Sequence, residues 1–293
     1  MPSRTGQSLI ARLFVIVVAL FMALATTVKA EAPRRIVSLN LCTDQWLLLL
    51  APRDHIAALS SLAVDPDLSA LWQQVGDLPL THGTAEEVLP LAPDLVLAGR
   101  YTARPTVALL KARGVKVLEI DLADDFDMIR AQARQVAAAL GRVAAGEALI
   151  AAMDAQLAAA TPPVDAAPGP RILNMTTGAF TAGSGTLHDA VIRAAGLRNY
   201  AAEKGLAGYG YLALETLAAD PPDLLIANIG AEARPSLAGQ LLSHPVLAAA
   251  VPPDRRVDLP ARLWTCGGPF AAEAVTRLAA LRPAPLPSPQ AEP

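Results

Sequence analysis

Short apolar runs alternate along most of the chain with segments whose apolar residues recur at helical spacing. Residues 35–39 (RIVSL) and 171–175 (RILNM) are two such runs, and each leads into a polar turn followed by a helical pattern. Residues 115–120 and 256–259 form a further short apolar run in each half of the chain. Apolar strands that alternate with helices form parallel sheets covered on both faces, so the pattern predicts an α/β fold.

One stretch of this pattern occurs twice at a constant offset. Residues 86–98 (EEVLPLAPDLVLA) align without a gap with residues 215–227 (ETLAADPPDLLIA). Each copy predicts a short helix, a Pro-Asp turn and an apolar strand, because proline cannot continue a helix and biases the preceding residue toward extended backbone. An internal repeat of this kind predicts two α/β lobes of similar plan, each built on a parallel sheet.

An alanine-rich stretch separates the two lobes in the sequence. Residues 125–160 have a helical pattern, and Gly141 predicts a break before a second helix that starts near Arg142. At roughly 1.5 Å per residue, this second helix would be on the order of 28 Å long. We therefore predict an N-terminal lobe (31–124) and a C-terminal lobe (161–282) joined by a single long backbone helix, with a ligand cleft between the lobes.

The two ends of the chain differ in composition from the rest. Arg4 and Arg12 precede an apolar run over residues 13–25, and a short polar stretch then ends at Ala30. This is the layout of a cleavable signal peptide over residues 1–30, and the run is shorter than the roughly 20 apolar residues of a membrane-spanning helix. The final residues, 283–293, are polar and rich in proline, which predicts a disordered tail.

Charge and motifs limit the kinds of activity. Residues 1–30 contain three basic and no acidic residues, so their removal changes the formal net charge from −3 to −6. A mildly acidic product argues against nucleic acid or anionic lipid as partner. The chain has no GxSxG, Walker or CxxC motif, and its four histidines lack metal-ligand spacing. We therefore predict a binding protein rather than an enzyme, without a directly bound metal.

In combination, these features resemble the class III periplasmic substrate-binding proteins of ABC importers, a helical-backbone group that includes vitamin B12 and ferric siderophore receptors. The resemblance rests on RRIVSLN (34–40), the repeated units at Glu86 and Glu215, GVKVLEID (114–121) and the single connecting helix, in that order. It implies a periplasmic monomer, without a cofactor, that delivers a metal chelate to a permease dimer in the inner membrane.

The resemblance leaves the ligand open. A ferric siderophore and a corrinoid of the vitamin B12 type are the first candidates, and haem is the alternative. Two other functions remain for the same two-lobed architecture, although we favour them less. One is a chelatase-like enzyme, and the other is an anchored sensory subunit whose N-terminal segment is not cleaved after Ala30.

The resemblance also implies a role for the repeated glutamates. In the relatives, one glutamate on each lobe docks into arginine-rich pockets of the permease, and the alignment gives these roles to Glu86 and Glu215. A shift of one residue would replace Glu86 by Glu87. Exposed carboxylates on a rigid body are suited to charge-assisted bonds with arginines. Alternatively, each glutamate only stabilises the N-terminus of its helix by its charge.

Segments that follow the predicted strands are expected to border the cleft, since open α/β sheets bind ligands at the carboxyl ends of their strands. Arg100, Tyr101 and Arg104 suit an anionic ligand with rings, because guanidinium groups bind carboxylates and phenols stack. Residues 176–186 predict a strand-to-helix connection in which Phe180 is the one large side chain. The predicted ligand-binding residues are Cys42, Arg100, Tyr101, Arg104, Phe180, Tyr209, Tyr211, Trp264 and Cys266.

The two cysteines of the chain fall in predicted cleft segments of different lobes. Three interpretations of Cys42 and Cys266 remain open at this point. They form a disulfide between the lobes, which an oxidising compartment favours, or they are thiols that touch the ligand, or they are two unrelated buried cysteines.

Overall fold

The computed structural model describes residues 31–163, 166–227 and 244–282. The predicted signal peptide (1–30) and the predicted tail (283–293) lie outside the described residues. Two sheets, one in each half of the chain, are surrounded by helices. The predicted α/β class is therefore confirmed.

The first sheet is entirely parallel, and its strands follow one another in the order β3-β2-β1-β4-β5. Its inner strands are buried, as their apolar runs predicted: Leu95, Val96 and Leu97 are all fully inaccessible to solvent. The strands are β1 (Ile36–Ser38), β2 (Ile56–Ser60), β3 (Leu80–Thr81), β4 (Leu95–Gly99) and β5 (Val117–Ile120). The helices of this half are α1 (Leu41–Leu50), α2 (Trp72–Val75), α3 (Ala85–Val88) and α4 (Arg104–Ala112).

Two helices follow the first sheet in the chain. They are α5 (Phe126–Ala139) and α6 (Val143–Ala160), and the chain breaks between them at Gly141, whose φ of 67° is in the left-handed region. Asp125 begins α5 by accepting a hydrogen bond from the backbone N–H of Met128 at 2.7 Å. The helix pair is closely packed, because a Cβ at Gly146 would lie 2.5 Å from the Cβ of Ala137.

The second sheet has the order β11-β10-β6-β7-β9, and β8 also pairs with β6. β10 pairs in parallel with β6 and β11, whereas β7 is antiparallel to both β6 and β9. The strands are β6 (Arg171–Met175), β7 (Phe180–Ala182), β8 (Arg198–Asn199), β9 (Tyr209–Tyr211), β10 (Leu224–Ala227) and β11 (Arg256–Val257). The described helices are α7 (Leu187–Ala194), α8 (Tyr200–Glu203), α9 (Leu214–Ala219), α10 (Pro245–Ala250) and α11 (Ala271–Ala279).

The second sheet is mostly parallel, as predicted, but β7 runs antiparallel to its neighbours β6 and β9. Residues 176–186 were expected to be a plain strand-to-helix connection, and Tyr209 and Tyr211 were expected in a loop. Instead Phe180 pairs with Tyr211 across the two antiparallel strands, and the rings are 5.4 Å apart. Aromatic cross-strand pairs stabilise a short ribbon of this kind, and the alternation Tyr-Gly-Tyr puts both tyrosines on one face.

The repeated Pro-Asp turn has the same structural role in both halves. Asp94 accepts a hydrogen bond from the backbone N–H of Arg35 at 3.1 Å, and Asp223 accepts one from that of Arg171 at 2.7 Å. In each case the aspartate N–H also donates to the carbonyl oxygen of the same arginine, at 3.0 Å. Each turn therefore joins the strand that follows it, β4 or β10, to the first strand of its sheet.

One apolar core extends from the first sheet to the second. It contains side chains of both sheets and of the helices packed between them, including Ile36, Trp46, Ile129, Met153, Ile172 and Val275. The indole N–H of Trp46 donates to the Oε1 atom of Gln132 on α5 at 3.3 Å. Because the two halves share this core, their apolar contacts resist independent movement of the sheets.

Candidate ligand-binding cleft

A cleft with an enclosed volume of about 90 Å³ lies between the two halves of the chain. Its N-terminal wall consists of Asn40, Cys42 and Thr43 after β1, residues 99–102 after β4 and residues 120–124 after β5, with Gln132 behind them. Its C-terminal wall consists of Leu187, Tyr209 and residues 264–267. The N-terminal wall therefore lies at the carboxyl ends of three parallel strands, where α/β sheets commonly bind ligands.

The structure brings together most of the predicted ligand-binding residues. Those that line the cleft are Cys42, Arg100, Tyr101, Tyr209, Trp264 and Cys266. Arg104 instead begins α4 with an exposed side chain, outside the lining. Phe180 and Tyr211 are also outside the lining, although the Phe180 ring stacks on that of Tyr209, with the ring centroids 5.9 Å apart.

Arg100 does not offer a free positive charge to the cleft. Its guanidinium forms an ion pair with the carboxylate of Asp121, with an Nη2–Oδ2 distance of 2.6 Å. Asp124 adds a second carboxylate, and its pKa is raised because burial disfavours the charged form and because Asp125 repels it. One arginine and two aspartates give the lining a formal net charge of −1. This geometry does not support the expectation that arginines select an anionic ligand.

Sequence analysis did not identify the segment after β5 as part of the site. Asp121, Leu122 and Asp124 line the cleft, and Leu122 is 59% exposed. The available signal was their position immediately after a predicted apolar strand, the same signal that identified Arg100 and Tyr101. Asn40, in the same wall, donates from its Nδ2 atom to the hydroxyl of Thr102 at 3.1 Å.

Trp264 forms the floor of the cleft rather than an exposed stacking surface. The side chain is only 1% exposed, and its ring lies 4.5 Å from that of His188. His188 in turn contacts the ring of Tyr209 edge-on, at 6.0 Å. Burial lowers the pKa of His188 to about 4, so the imidazole is neutral at physiological pH. The buried Nδ1 of His188 and Nε1 of Trp264 have no hydrogen-bond partner among the described residues.

Tyr209 carries the exposed aromatic surface of the C-terminal wall. Its side chain is 48% exposed, and its pKa is raised by burial and by the negative charge of Asp124 on the opposite wall. The phenol is therefore protonated at neutral pH. On the N-terminal wall, Tyr101 is 68% exposed. Both walls thus present apolar ring surface to the cleft.

Cys42 and Cys266 form a disulfide, with their Cα atoms 5.3 Å apart. This is the first of the three interpretations, and it rules out free thiols as ligand contacts. The bond joins the first turn of α1 to the segment after β11. The next residue, Gly267, packs so closely on Ala123 that a Cβ at this position would overlap the alanine side chain. The two walls are therefore in direct contact beside the disulfide.

The repeated glutamates occupy equivalent positions on the surface. Glu86 and Glu215 are each the second residue of a helix, α3 or α9, and both are exposed. Neither carboxylate has a hydrogen bond or ion pair with any residue in the described parts of the chain. Glu87 differs, because it accepts hydrogen bonds from the Thr81 hydroxyl and the His82 N–H, both at 2.6 Å. These bonds lower the pKa of Glu87 to about 2.

Among the described residues, no group of three or more His, Cys, Asp or Glu side chains could hold a metal ion. The family model that describes periplasmic binding proteins matches residues 36–263. The chain is also 30% identical, over 224 residues, to a cobalamin-binding protein of Halobacterium salinarum. The aligned region covers 75% of this chain, and the chain spans only 60% of the length of that relative.

Solved structures with the same fold include two haem-binding proteins. One is the periplasmic haem-binding protein RhuT from Roseiflexus sp. RS-1 in its apo form, with a TM-score of 0.69 and 29% identity; the match covers 85% of this chain and 97% of that one. The other is a periplasmic haem-binding protein from Pseudomonas aeruginosa, with a TM-score of 0.67 and 25% identity; the match covers 85% and 92% of the two chains.

Proposed function

Since the chain belongs to the periplasmic binding protein family, we propose that it captures a corrinoid of the vitamin B12 type and delivers it to the permease of an ABC importer. It acts in the periplasm as a monomer, by binding and release, with no catalytic step. The observation that carries this proposal is the cleft, whose two walls come from different halves of the chain and present tyrosine rings with an acidic lining.

The charge of the lining favours a corrinoid over haem. A haem carries two propionate carboxylates, whereas the periphery of a corrinoid carries mainly uncharged amides around a cationic cobalt centre. Arg100 is already paired with Asp121, so the unpaired charge that remains in the lining is that of Asp124. Placing propionates beside this carboxylate would cost free energy, because like charges repel more strongly at a partly desolvated site.

The exposed apolar side chains support a large, flat ligand. Tyr101 and Leu122 on one wall, and Tyr209 on the other, are each about half exposed or more. Apolar surface of this kind is costly in water, and a macrocycle lying across the cleft would cover it. Amides on the periphery of the macrocycle would pair with polar groups of the lining, such as Asn40 and Thr102.

Haem is the second candidate, because solved structures with this fold include haem-binding proteins at 25% to 29% identity. Tyrosine is a known axial ligand of ferric haem. Tyr209 is less suited to this role, because burial and Asp124 raise its pKa and so disfavour the phenolate. A ferric siderophore, the other ligand expected from the sequence, has no specific support in the cleft, since Arg100 is paired.

A titration of the purified protein tests the ligand. Cyanocobalamin should quench the intrinsic fluorescence and raise the thermal midpoint with increasing ligand concentration. Hemin should bind more weakly, and Asp124→Asn should improve hemin binding more than cyanocobalamin binding. Asp67→Asn, an exposed aspartate outside the lining, is the matched control. Tight binding of hemin without binding of cyanocobalamin would make haem the ligand instead.

Glu86 and Glu215 are the proposed permease-docking residues, and their exposed, unpaired carboxylates support this role. The hydrogen bonds of Glu87 give it a structural role and favour Glu86 over it. The double variant Glu86→Ala/Glu215→Ala should lose transport in cells while the purified protein keeps its ligand affinity. The control is Asp67→Ala/Asp254→Ala, which removes one exposed carboxylate from each half. Unchanged transport by the glutamate variant would reject the docking role.

Export through a signal peptide cleaved after Ala30 completes the proposal. N-terminal sequencing of the protein recovered from the periplasm tests it, and the expected first residue is Glu31. A chain that keeps residues 1–30 and stays with the membrane would favour the anchored sensory subunit.

A further inference from the structure

The Cys42–Cys266 disulfide is part of the cleft wall as well as a link between the two halves. The two cysteines are 224 positions apart in the chain, and both line the cleft. Cys42 is partly exposed, whereas Cys266 is only 2% exposed. Of the two cysteines, Cys42 is therefore the one more open to a reagent that enters the cleft.

Few other specific bonds join the two walls. Between residues 35–124 and the described part of the C-terminal half (166–227 and 244–282), one hydrogen bond is present. It runs from Nη1 of Arg262 to the carbonyl oxygen of Pro66 and is long, at 3.4 Å. The remaining contacts are apolar, such as that of Gly267 with Ala123 and Ile129. The shared core holds the two halves together, and the disulfide adds a covalent bond between the two walls of the cleft itself.

We propose that this disulfide is a redox-sensitive lock on the cleft, and that ligand in the cleft protects it from reduction. This proposal rests on one part of the proposed function, namely that the ligand binds in this cleft. With the bond intact, the two walls are preorganised for a ligand that must touch both. With the bond reduced, the walls separate more easily, and the ligand affinity falls because ordering the walls now opposes binding.

Reduction would proceed by thiol–disulfide exchange with an external dithiol. One thiolate of the dithiol attacks Sγ of Cys42, the Cys42–Cys266 bond breaks, and Sγ of Cys266 leaves as a thiolate that takes up a proton. The second thiol of the reagent then attacks the reagent sulfur that is bonded to Sγ of Cys42. This step closes the reagent into a disulfide and releases Cys42 as a thiol. Two electrons pass to the protein, and the dithiol becomes a disulfide.

A bound ligand would cover the attacked sulfur. Because binding also favours the form in which the walls are held together, ligand and disulfide stabilise each other, and the coupling is reciprocal. The oxidised form would therefore bind ligand more tightly, and the occupied cleft would be reduced more slowly.

The test measures the rate at which dithiothreitol reduces the disulfide of the purified wild-type protein. Alkylation stops the reaction at each time point, and mass spectrometry counts the alkylated cysteines. Saturating cyanocobalamin should slow reduction at least tenfold, whereas free tryptophan at the same concentration should not. A second measurement compares two affinities for cyanocobalamin, that of the oxidised wild-type protein and that of the double variant Cys42→Ala/Cys266→Ala. Circular dichroism checks that the double variant is folded. The variant should bind about tenfold more weakly. Equal affinities, or a reduction rate that bound cyanocobalamin does not change, would overturn the proposal.

A third measurement keeps this proposal separate from the ligand assignment. Hydrogen exchange of ligand-free protein is compared before and after reduction, on residues 120–124 and 261–268. Faster exchange of both segments after reduction would support the redox-sensitive lock. If cyanocobalamin then fails to bind, only the proposed ligand is wrong. Unchanged exchange in both segments would overturn the lock whatever the ligand is.

Discussion

Asp44 is a buried carboxylate whose titration should make the stability of the protein depend on pH. It lies in the first turn of α1 and is fully inaccessible to solvent. Its carboxylate accepts hydrogen bonds from the backbone N–H and the hydroxyl of Ser60, at 2.8 and 2.5 Å, and so joins α1 to the end of β2. Burial outweighs these bonds and raises the pKa of Asp44 to about 6.

The magnitude follows from the difference between the folded and unfolded states. The pKa is 3.8 in the unfolded chain and about 6 in the folded protein, so the folded state binds a proton that the unfolded state has lost. The contribution of this proton to the free energy of unfolding is fully present below pH 3.8. It is lost as the pH rises through 6. From well below pH 3.8 to well above pH 6, the free energy of unfolding should therefore lose about 3 kcal/mol through Asp44 alone.

Asp44→Asn removes this titration and keeps a side chain of the same shape. The amide can still accept from the Ser60 N–H and can donate to the Ser60 hydroxyl. Urea unfolding between pH 4 and 7.5 should show that the free energy of unfolding of the variant gains about 2 kcal/mol relative to wild type as the pH rises, because part of the full effect is already lost at pH 4. Asp67→Asn is the control and should run parallel to wild type. A constant difference between Asp44→Asn and wild type across this range would refute the reasoning.

Three further predictions can be checked by the same unfolding measurements. Burial lowers the pKa of His188 to about 4, so its titration should stabilise the wild type by about 3 kcal/mol as the pH rises from 4 to 6.5. His188→Phe should not show this gain. Gly267→Ala forces a methyl group into Ala123 and should cost about 2 kcal/mol at every pH. Asp94→Ala removes the acceptor for the Arg34 and Arg35 N–H groups and should cost about 1 kcal/mol, as the Pro-Asp repeat implies.

The sequence predicted the elements that depend on local pattern. The apolar runs identified β1, β4 and β6, and the helical pattern with Gly141 located α5 and α6 to within a few residues. β7 and β9 were missed because three residues are too few to show the alternation of a strand. Each of the two is also a strand only because it pairs with the other. Their pairing places Phe180 opposite Tyr211, a long-range relation that no local pattern contains.

The candidate site was predictable only to the level of segments. Arg100, Tyr101 and Trp264 follow apolar strands, and that position alone put them near the cleft. The pairing of Arg100 with Asp121 reversed the expected charge of the site, and the two residues are 21 positions apart in the chain. Burial of the Trp264 ring against His188 depends on the direction of the side chain, which position after a strand does not determine.

Both walls of this cleft are proposed to bind one ligand. The most direct test is the affinity for cyanocobalamin of Tyr101→Ala, on the N-terminal wall, and Tyr209→Ala, on the C-terminal wall, with Trp72→Ala, an exposed aromatic residue outside the lining, as the control. Each wall variant should bind about tenfold more weakly, because a stacked ring contributes on the order of 1 kcal/mol or more, and the control should bind like wild type. Full affinity in both wall variants would contradict the account.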